Sequence, residues 1–195
     1  MKKCLISGSF DPITCGHIDI IEKALAMSNK VVVGVFNNEE KTYLFNLNER
    51  VQLCKLALEK YDNVEVVGDS GMVFEFCNKY DIDIIIRGFR NNVDYAYETE
   101  MAKFNYDKCG VKTILLPADK KFDNISSTIA RELILQEKQN FAQNNVEEIN
   151  AELNKYLPAS VLSLIRRKNN EWFFKNFKWT WEWNQRLKKV NARRK

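Results

Sequence analysis

Short apolar runs alternate with helical patterns along most of this chain, and this alternation limits the possible folds more than any other feature. The apolar runs fall at residues 3–7, 31–36, 64–67, 83–86 and 112–116. The run at 31–36 is rich in β-branched residues, which is typical of a strand buried on both faces. Strands separated by helices connect in parallel, with the helices on both faces of the sheet. The sequence therefore predicts an α/β fold, a doubly wound five-stranded parallel sheet of the Rossmann-like type.

The predicted helices occupy the segments between and after these runs. Between the strands they fall at residues 16–28, 48–60, 72–79 and 93–109. Asn48 is the expected N-cap of the second helix, and its inward face is assigned to Val51, Leu53, Leu56 and Ala57. After Pro117 the strands stop, a loop is expected at 139–145, and C-terminal helices are expected at 126–137, 146–155 and 159–168.

Composition restricts the class of protein. The chain has 195 residues, 45% of them hydrophobic and 29% charged, which is the balance of an ordinary soluble globular protein. No apolar run approaches the ~20 residues that span a bilayer, and the N-terminal segment is too short for a signal peptide. We therefore expect a cytoplasmic protein without a membrane span. The five cysteines form no C-x-x-C pair, so we expect buried or half-buried free thiols and neither a zinc site nor disulfides.

The last part of the chain differs from the rest in charge and aromatic content. Residues 169–195 hold eight Lys and Arg and two Glu, a net charge of +6, so the remaining residues carry +4 − 6 = −2. We therefore predict a domain at 1–168 and an aromatic and basic C-terminal extension at 169–195. Trp179, Trp181 and Trp183 alternate with polar residues, as in a strand with one aromatic face. Packing on the domain or on a neighbouring subunit is the favoured interpretation, a membrane-surface anchor and a nucleic-acid contact stay open, and the partner is unknown.

The loop after the first predicted strand carries the first candidate site. Gly8 lets a ligand approach the backbone closely, and Ser9 offers a hydroxyl. Gly16 and His17 begin the next helix, where free N–H groups and the helix dipole favour a phosphate. His17 is the only histidine in the chain. A lone histidine is usually a surface or core residue, but this position at a helix start favours a functional one.

Three other segments bring cations or hydroxyls to the same edge of the predicted sheet. Arg87 and Arg90 flank Gly88 at the end of the fourth strand, where arginine suits phosphate, although pairing with surface carboxylates is the alternative. Lys41 follows the second strand, and taken alone it is more readily a solvated charge. The hydroxyls at 126–128 open a helix, and capping and phosphate binding explain them about equally well. No G-x-x-x-x-G-K-[ST] or G-x-G-x-x-G motif occurs, which disfavours P-loop kinases and dinucleotide oxidoreductases.

Taken together, these motifs resemble the bacterial phosphopantetheine adenylyltransferase family, in the nucleotidyltransferase superfamily with the T/H-x-G-H signature. The matching segments are, in chain order, 8–17, Lys41 with 47–50, 86–90, 94–95 with 97–98, and 125–128. The resemblance runs from about residue 2 to the mid-160s. The chain departs from the family's pattern at Asn124, where an aromatic residue is common, in a longer link at 136–150, and in the extension.

The resemblance implies a role for each matching residue. Catalysis falls to His17, Ser9 and Lys41, with His17 stabilising the transition state at the α-phosphorus of ATP. Acceptor binding falls to Ser9, Lys41, Val73 and Arg87. ATP binding falls to Ser9, Phe10, His17, Gly88, Phe89, Arg90, Glu98, Phe122, Asp123, Asn124, Ile125, Ser126, Ser127 and Thr128.

The implied reaction is in-line attack by a phosphate oxygen of 4′-phosphopantetheine on ATP, which gives dephospho-CoA and pyrophosphate. Mg²⁺ is expected with ATP, no protein metal site is implied, and a homo-oligomer, generally a hexamer in this family, is expected. Two alternatives remain. One is adenylyl or cytidylyl transfer to another phosphorylated acceptor such as nicotinamide mononucleotide, which Lys41, Arg87 and the context of Glu98 disfavour. The other is a non-catalytic nucleotide- or RNA-binding protein, which the intact candidate site disfavours.

Overall fold

A five-stranded parallel sheet forms the centre of the molecule. The computed structural model describes residues 2–38, 41–139 and 146–172. The strands are β1 Lys3–Gly8, β2 Lys30–Phe36, β3 Val64–Asp69, β4 Ile84–Phe89 and β5 Lys112–Pro117. Their order is β3-β2-β1-β4-β5, and every neighbouring pair is parallel. This confirms the predicted fold class.

Helices and one short turn connect and follow the strands. They are α1 Cys15–Leu25, α2 Leu47–Leu58, α3 Val73–Lys79, α4 Asn92–Cys109, α5 Ser127–Gln139, α6 Val146–Tyr156 and α7 Ala159–Trp172, with a 3-10 turn at Lys120–Phe122 before α5. Each predicted helix is therefore present, within a few residues of its predicted ends.

The central strands are apolar because both of their faces are covered. Six of the seven residues of β2 are buried, which its β-branched sequence predicts. On one face Leu5, Val32 and Ile85 come from three adjacent strands and pack with Phe76 of α3. This core holds the carboxyl ends of β1 and β4 side by side.

The start of α2 differs from the prediction. Asn46, not Asn48, is the N-cap: its Oδ1 accepts from Glu49 N at 3.0 Å, and Glu49 Oε2 accepts from Asn46 N at 2.9 Å. This reciprocal capping box satisfies two N–H groups that a start two residues later would leave unpaired. The inward face shifts with the cap, so that Arg50 and Cys54 are buried, whereas the predicted Val51 and Leu56 are only half-buried.

Strand β4 extends further than predicted. The predicted strand ends at residue 86, but Arg87, Gly88 and Phe89 also lie in the strand and pair with Leu115, Leu116 and Pro117 of β5. Because Gly88 has no side chain, α1 can pack directly on this part of the strand. A Cβ atom at position 88 would lie 2.7 Å from Ile20 Cγ1. The close approach sets the start of α1 beside the end of β4.

Three further predictions concern the cysteines, a membrane span and the C-terminal extension. The cysteines are free and buried or half-buried, as predicted. Among the described residues no helix combines the length and apolar character needed to cross a membrane. The chain divides into compact units Met1–Val161 and Leu162–Lys195, and only the continuation of α7 is described in the second. The strand pattern expected in the extension and most of the loop expected at 139–145 lie outside the described residues.

Candidate active site

The order of the strands reverses between β1 and β4, and a cleft opens at their carboxyl ends. Ligands bind at such switch points in open α/β sheets. The cleft has a volume of about 570 Å³. Most of the predicted site residues line it, namely Ser9, Phe10, His17, Lys41, Arg87, Gly88, Phe89, Arg90, Glu98, Phe122, Ile125, Ser126, Ser127 and Thr128.

Three predicted residues are not among those that line the cleft. Val73 is the first residue of α3 and packs against the core cluster that contains Phe76. Asp123 and Asn124 follow the 3-10 turn, and Asp123 N donates to Lys120 O at 3.2 Å. The structure therefore gathers the phosphate-directed residues but leaves these three outside the cleft wall.

His17 lies in the first turn of α1 with one ring nitrogen already engaged. Thr14 is the N-cap, and its backbone N–H donates to His17 Nδ1 at 3.0 Å. A nitrogen that accepts this bond carries no proton, so the neutral ring holds its proton on Nε2. The ring of Phe10 meets the imidazole edge to face, with centroids 5.0 Å apart. His17 thus presents a fixed N–H donor at a helix N-terminus.

The surroundings of His17 disfavour its charged form. Its pKa falls from 6.5 to about 4, because burial removes the solvation of an imidazolium and because Arg90 and Arg87 repel it. At neutral pH the ring is therefore uncharged, and its one N–H group is on Nε2.

The backbone after β1 turns sharply to form this wall of the cleft. Phe10 has φ 46°, a conformation that is uncommon for a bulky residue and costs conformational energy. Its buried ring lies over Gly8, where a Cβ would be 3.0 Å from two ring carbons. The glycine therefore makes room for the Phe10 ring, whereas the sequence suggested that it makes room for a ligand.

Arg87 of β4 and Arg90, the residue that follows the strand, are each bound to a carboxylate. Arg87 Nε and Nη2 donate to the two oxygens of Glu98, both at 2.7 Å, and its Nη1 bonds Ser7 O. Arg90 Nε donates to Asp94 Oδ2 at 2.8 Å. The resemblance implies that Arg87 binds the acceptor and that Glu98 binds ATP, but in the structure the two side chains form one ion pair.

Arg90 also connects two walls of the cleft, because its Nη1 donates to Ile125 O at 3.1 Å. The hydroxyls that follow have separate partners. Ser126 Oγ accepts from Ile129 N at 3.2 Å and so caps α5, while Ser127 Oγ donates to Pro12 O at 2.9 Å. Capping thus accounts for Ser126, one of the two explanations that the sequence left open.

Sequence reasoning gave no role to three charged residues around the cleft: Asp11, Arg50 and Arg131. Asp11 and Arg50 are 1% and 0% exposed. Arg131 of α5 donates to Asp11 O at 2.7 Å and to Thr128 Oγ1 at 3.1 Å. Burial raises the pKa of Asp11, opposed by backbone N–H groups of Leu44 and Phe45. No periodic pattern marks such residues, because charged side chains are expected on the surface unless their partners are known.

The carboxylates of the cleft form no ready metal cage. Asp94 and Glu98 are paired with arginines, and Asp11 accepts two backbone N–H groups. In the part of the chain that the structure describes, no group of three or more His, Cys, Asp or Glu could hold a metal ion.

Comparison with known proteins identifies the family. Residues 5–133 match the model of the cytidylyltransferase-like family. The phosphopantetheine adenylyltransferase of Cutibacterium acnes is 44% identical over 129 residues, 66% of this chain and 82% of the relative. That of Thermobifida fusca is 32% identical over 176 residues, 90% of this chain and 99% of the relative.

A solved structure supports the fold. Plasmodium falciparum nicotinic acid mononucleotide adenylyltransferase complexed with NaAD has a TM-score of 0.58 at 14% identity, over 87% of this chain and 97% of that one. At that identity the likeness concerns the fold alone. Together, the family match and the two relatives establish that the chain belongs to the cytidylyltransferase-like family and, within it, to the phosphopantetheine adenylyltransferases.

Proposed function

We propose that the chain transfers the adenylyl group of ATP to 4′-phosphopantetheine, giving dephospho-CoA and pyrophosphate. One observation carries the chemistry: a neutral imidazole donor stands at the N-terminus of α1, in a cleft that Lys41, Arg90 and Arg131 also line. The acceptor is taken from the names of relatives that are up to 44% identical. The reaction needs no covalent intermediate with the protein, because the nucleophile is already an anion.

In this reaction a phosphate oxygen of the acceptor forms a bond to the α-phosphorus of ATP. The bond from that phosphorus to the bridging oxygen of the β-phosphate breaks, and pyrophosphate leaves with the electron pair. Negative charge builds up on the transferring group, so catalysis consists of positioning and electrostatic stabilisation. His17 would donate its Nε2–H to a non-bridging oxygen of the α-phosphate.

The cations around the cleft would divide the phosphates between them. Lys41 stands on the β2 side and would hold the acceptor phosphate, while Arg90 stands at the end of β4 near the start of α5 and would hold the β- and γ-phosphates of ATP. The N-terminus of α5 favours the same anions through its helix dipole. Arg87 is occupied by Glu98, so its main contribution in this arrangement is a fixed positive charge beside His17.

We expect Mg²⁺ to enter with ATP rather than to occupy a site of the protein. Mg²⁺ is commonly held by substrate phosphates, waters and one or two carboxylates, which suits a cleft whose acids are already engaged. Bound in this way it would neutralise part of the phosphate charge.

We also propose a homo-oligomer, a hexamer by analogy with the family, in the cytoplasm. Helix α4 supports self-association, because within its 18 residues only Glu98 and Asn105 are buried. Its exposed side chains include Tyr95, Tyr97, Phe104 and Tyr106. Exposed aromatic side chains are enriched at protein–protein interfaces. Light scattering coupled to size exclusion should give six times the 22.9 kDa chain mass, and a monomer would contradict the proposal.

The test of the proposed function is pyrophosphate release from the purified protein with ATP, Mg²⁺ and 4′-phosphopantetheine. Nicotinamide mononucleotide serves as a parallel acceptor. We expect release only with 4′-phosphopantetheine. Release only with the mononucleotide would replace the acceptor and keep the reaction class. ATP binding with release from neither acceptor would point to a nucleotide-binding protein without this activity.

A further inference from the structure

Two buried charged side chains hold the segment between β2 and α2, and the proposed chemistry uses neither. Asp11 belongs to the loop after β1, and Arg50 to the first turns of α2. A buried charge is costly unless it is paired and hydrogen-bonded. Their partners therefore show what these residues fix.

Asp11 holds the segment from the β1 side. Its Oδ2 accepts from Leu44 N at 2.8 Å, and its Oδ1 accepts from Phe45 N at 2.9 Å. Arg131 Nη1 lies 3.6 Å from Asp11 Oδ2 and provides a counter-charge. One carboxylate thus joins two consecutive amides of the segment to the loop that carries Ser9.

Arg50 holds the same segment from α2. Its Nε donates to Phe45 O at 3.1 Å, and its Nη1 donates to Phe36 O at 2.9 Å and to Ser9 O at 2.5 Å. The guanidinium carbon also lies 4.0 Å from the centroid of the Tyr43 ring. Arginine can make these contacts at once because its donors form a rigid planar fork.

Lys41 lies a few residues before the amides that Asp11 holds. Its own N–H donates to Asn38 O at 2.9 Å, and the Tyr43 hydroxyl accepts from Asn38 N at 2.5 Å. The Lys41 side chain is exposed and lines the cleft. A lysine is a point charge on a long flexible stem, so the position of its ammonium depends on how firmly its backbone is held.

We propose that Asp11 is a positioning residue for Lys41, with Arg50 as its counterpart on α2. Together they fix residues 41–45 so that the Lys41 ammonium meets the acceptor phosphate. The proposal rests on the proposed function and deepens it, because it assigns the control of acceptor binding to two residues outside the reacting groups.

The test is a double-mutant cycle between Asp11→Asn and Lys41→Ala, read as KM for 4′-phosphopantetheine and for ATP. An asparagine at position 11 keeps the shape but turns an N–H group toward one of the two amides. With Lys41 present, we expect Asp11→Asn to raise the acceptor KM about tenfold, the effect of losing one buried hydrogen bond. With Lys41→Ala, we expect the same change to have less than about a twofold effect. The KM for ATP should stay within about twofold throughout.

A purely structural role for Asp11 would give a different pattern, with an equal increase in both backgrounds or an increase for ATP as well. Either result overturns the proposal. Arg50→Lys, which keeps the charge but loses the fork, should reproduce the selective rise in acceptor KM and serves if Asp11→Asn does not fold. Asp62→Asn, an exposed carboxylate between α2 and β3, is the matched control and should change neither KM. If the unaltered protein releases no pyrophosphate with this acceptor, the proposed function fails. If the enzyme is active but the effects of the two substitutions simply add, only the positioning role of Asp11 fails.

Discussion

At the scale of single residues, the charge state of His17 comes from its neighbours. A histidine with its ordinary pKa of 6.5 is partly charged near neutrality. Burial of the ring and the positive charges of Arg90 and Arg87 instead favour the neutral form, and the Thr14 N–H on Nδ1 leaves the proton on Nε2. The site thereby gains a directed donor and avoids a third positive charge beside Arg87 and Arg90.

His17→Ala should lower kcat at least about 10²-fold, because a preorganised donor to the transferring group is lost. Two further variants separate the donor from the helix cap. His17→Gln places an amide N–H near the position of Nε2 and should recover part of kcat, whereas His17→Asn retains only an acceptor for Thr14 N–H and should not. The measurement is steady-state pyrophosphate release, and an unchanged kcat in His17→Ala would remove His17 from this role.

The sequence indicated His17, Arg87 and Arg90 because they stand at a strand end and a helix start, where parallel sheets bind ligands. Asp11 and Arg50 fall inside the matching segments 8–17 and 47–50, but the sequence indicated no role for either. Their positions follow from hydrogen bonds to backbone groups of a different loop, 33 and 41 residues away along the chain, to Leu44 and Ser9. Contacts of this kind leave no periodic pattern in the sequence.

At the scale of secondary structure elements, the strands were predictable because they are short apolar runs that alternate with helical patterns. Their ends were less so. Arg87 and Gly88 have the character of loop residues, yet β5 pairs with them and keeps them in β4. The start of α2 was misplaced for a related reason: Asn46 and Asn48 are equivalent as local signals, and only the capping box with Glu49 distinguishes them.

Helix α2 offers a direct test of that assignment. Asn46→Ala should reduce the free energy of unfolding by about 1 kcal/mol, because it removes the side-chain acceptor for Glu49 N. Asn48→Ala is the matched control, since it is also exposed and lies inside the helix, and it should change stability by less than about 0.5 kcal/mol. Urea denaturation of both variants measures the difference. A larger loss for Asn48→Ala would restore the start predicted from the sequence.

At the scale of the whole molecule, the site and the stability of the fold are linked through protons. His17 has a pKa of about 4 when folded and 6.5 as its reference value, so below pH 6.5 the unfolded chain binds more protons than the folded one. The contribution of this group to stability is therefore complete above pH 6.5 and is lost as the pH falls toward 4. Asp11, whose pKa is raised by burial, acts in the opposite sense, because its contribution is lost as the pH rises.

Replacing His17 isolates its share of this dependence, because Asp11 and all other groups are common to both proteins. Between pH 8 and pH 5 the unaltered protein should lose about 2 kcal/mol more unfolding free energy than His17→Gln, at about 1.4 kcal/mol for each pKa unit. Urea denaturation at the two pH values, at equal protein concentration, measures the difference. Since His17 is the only histidine, NMR can follow its titration directly in the same samples. Equal losses in the two proteins, with a midpoint near 6.5, would mean that the arginines and burial do not hold His17 neutral, and its role as a fixed donor would lose its physical basis.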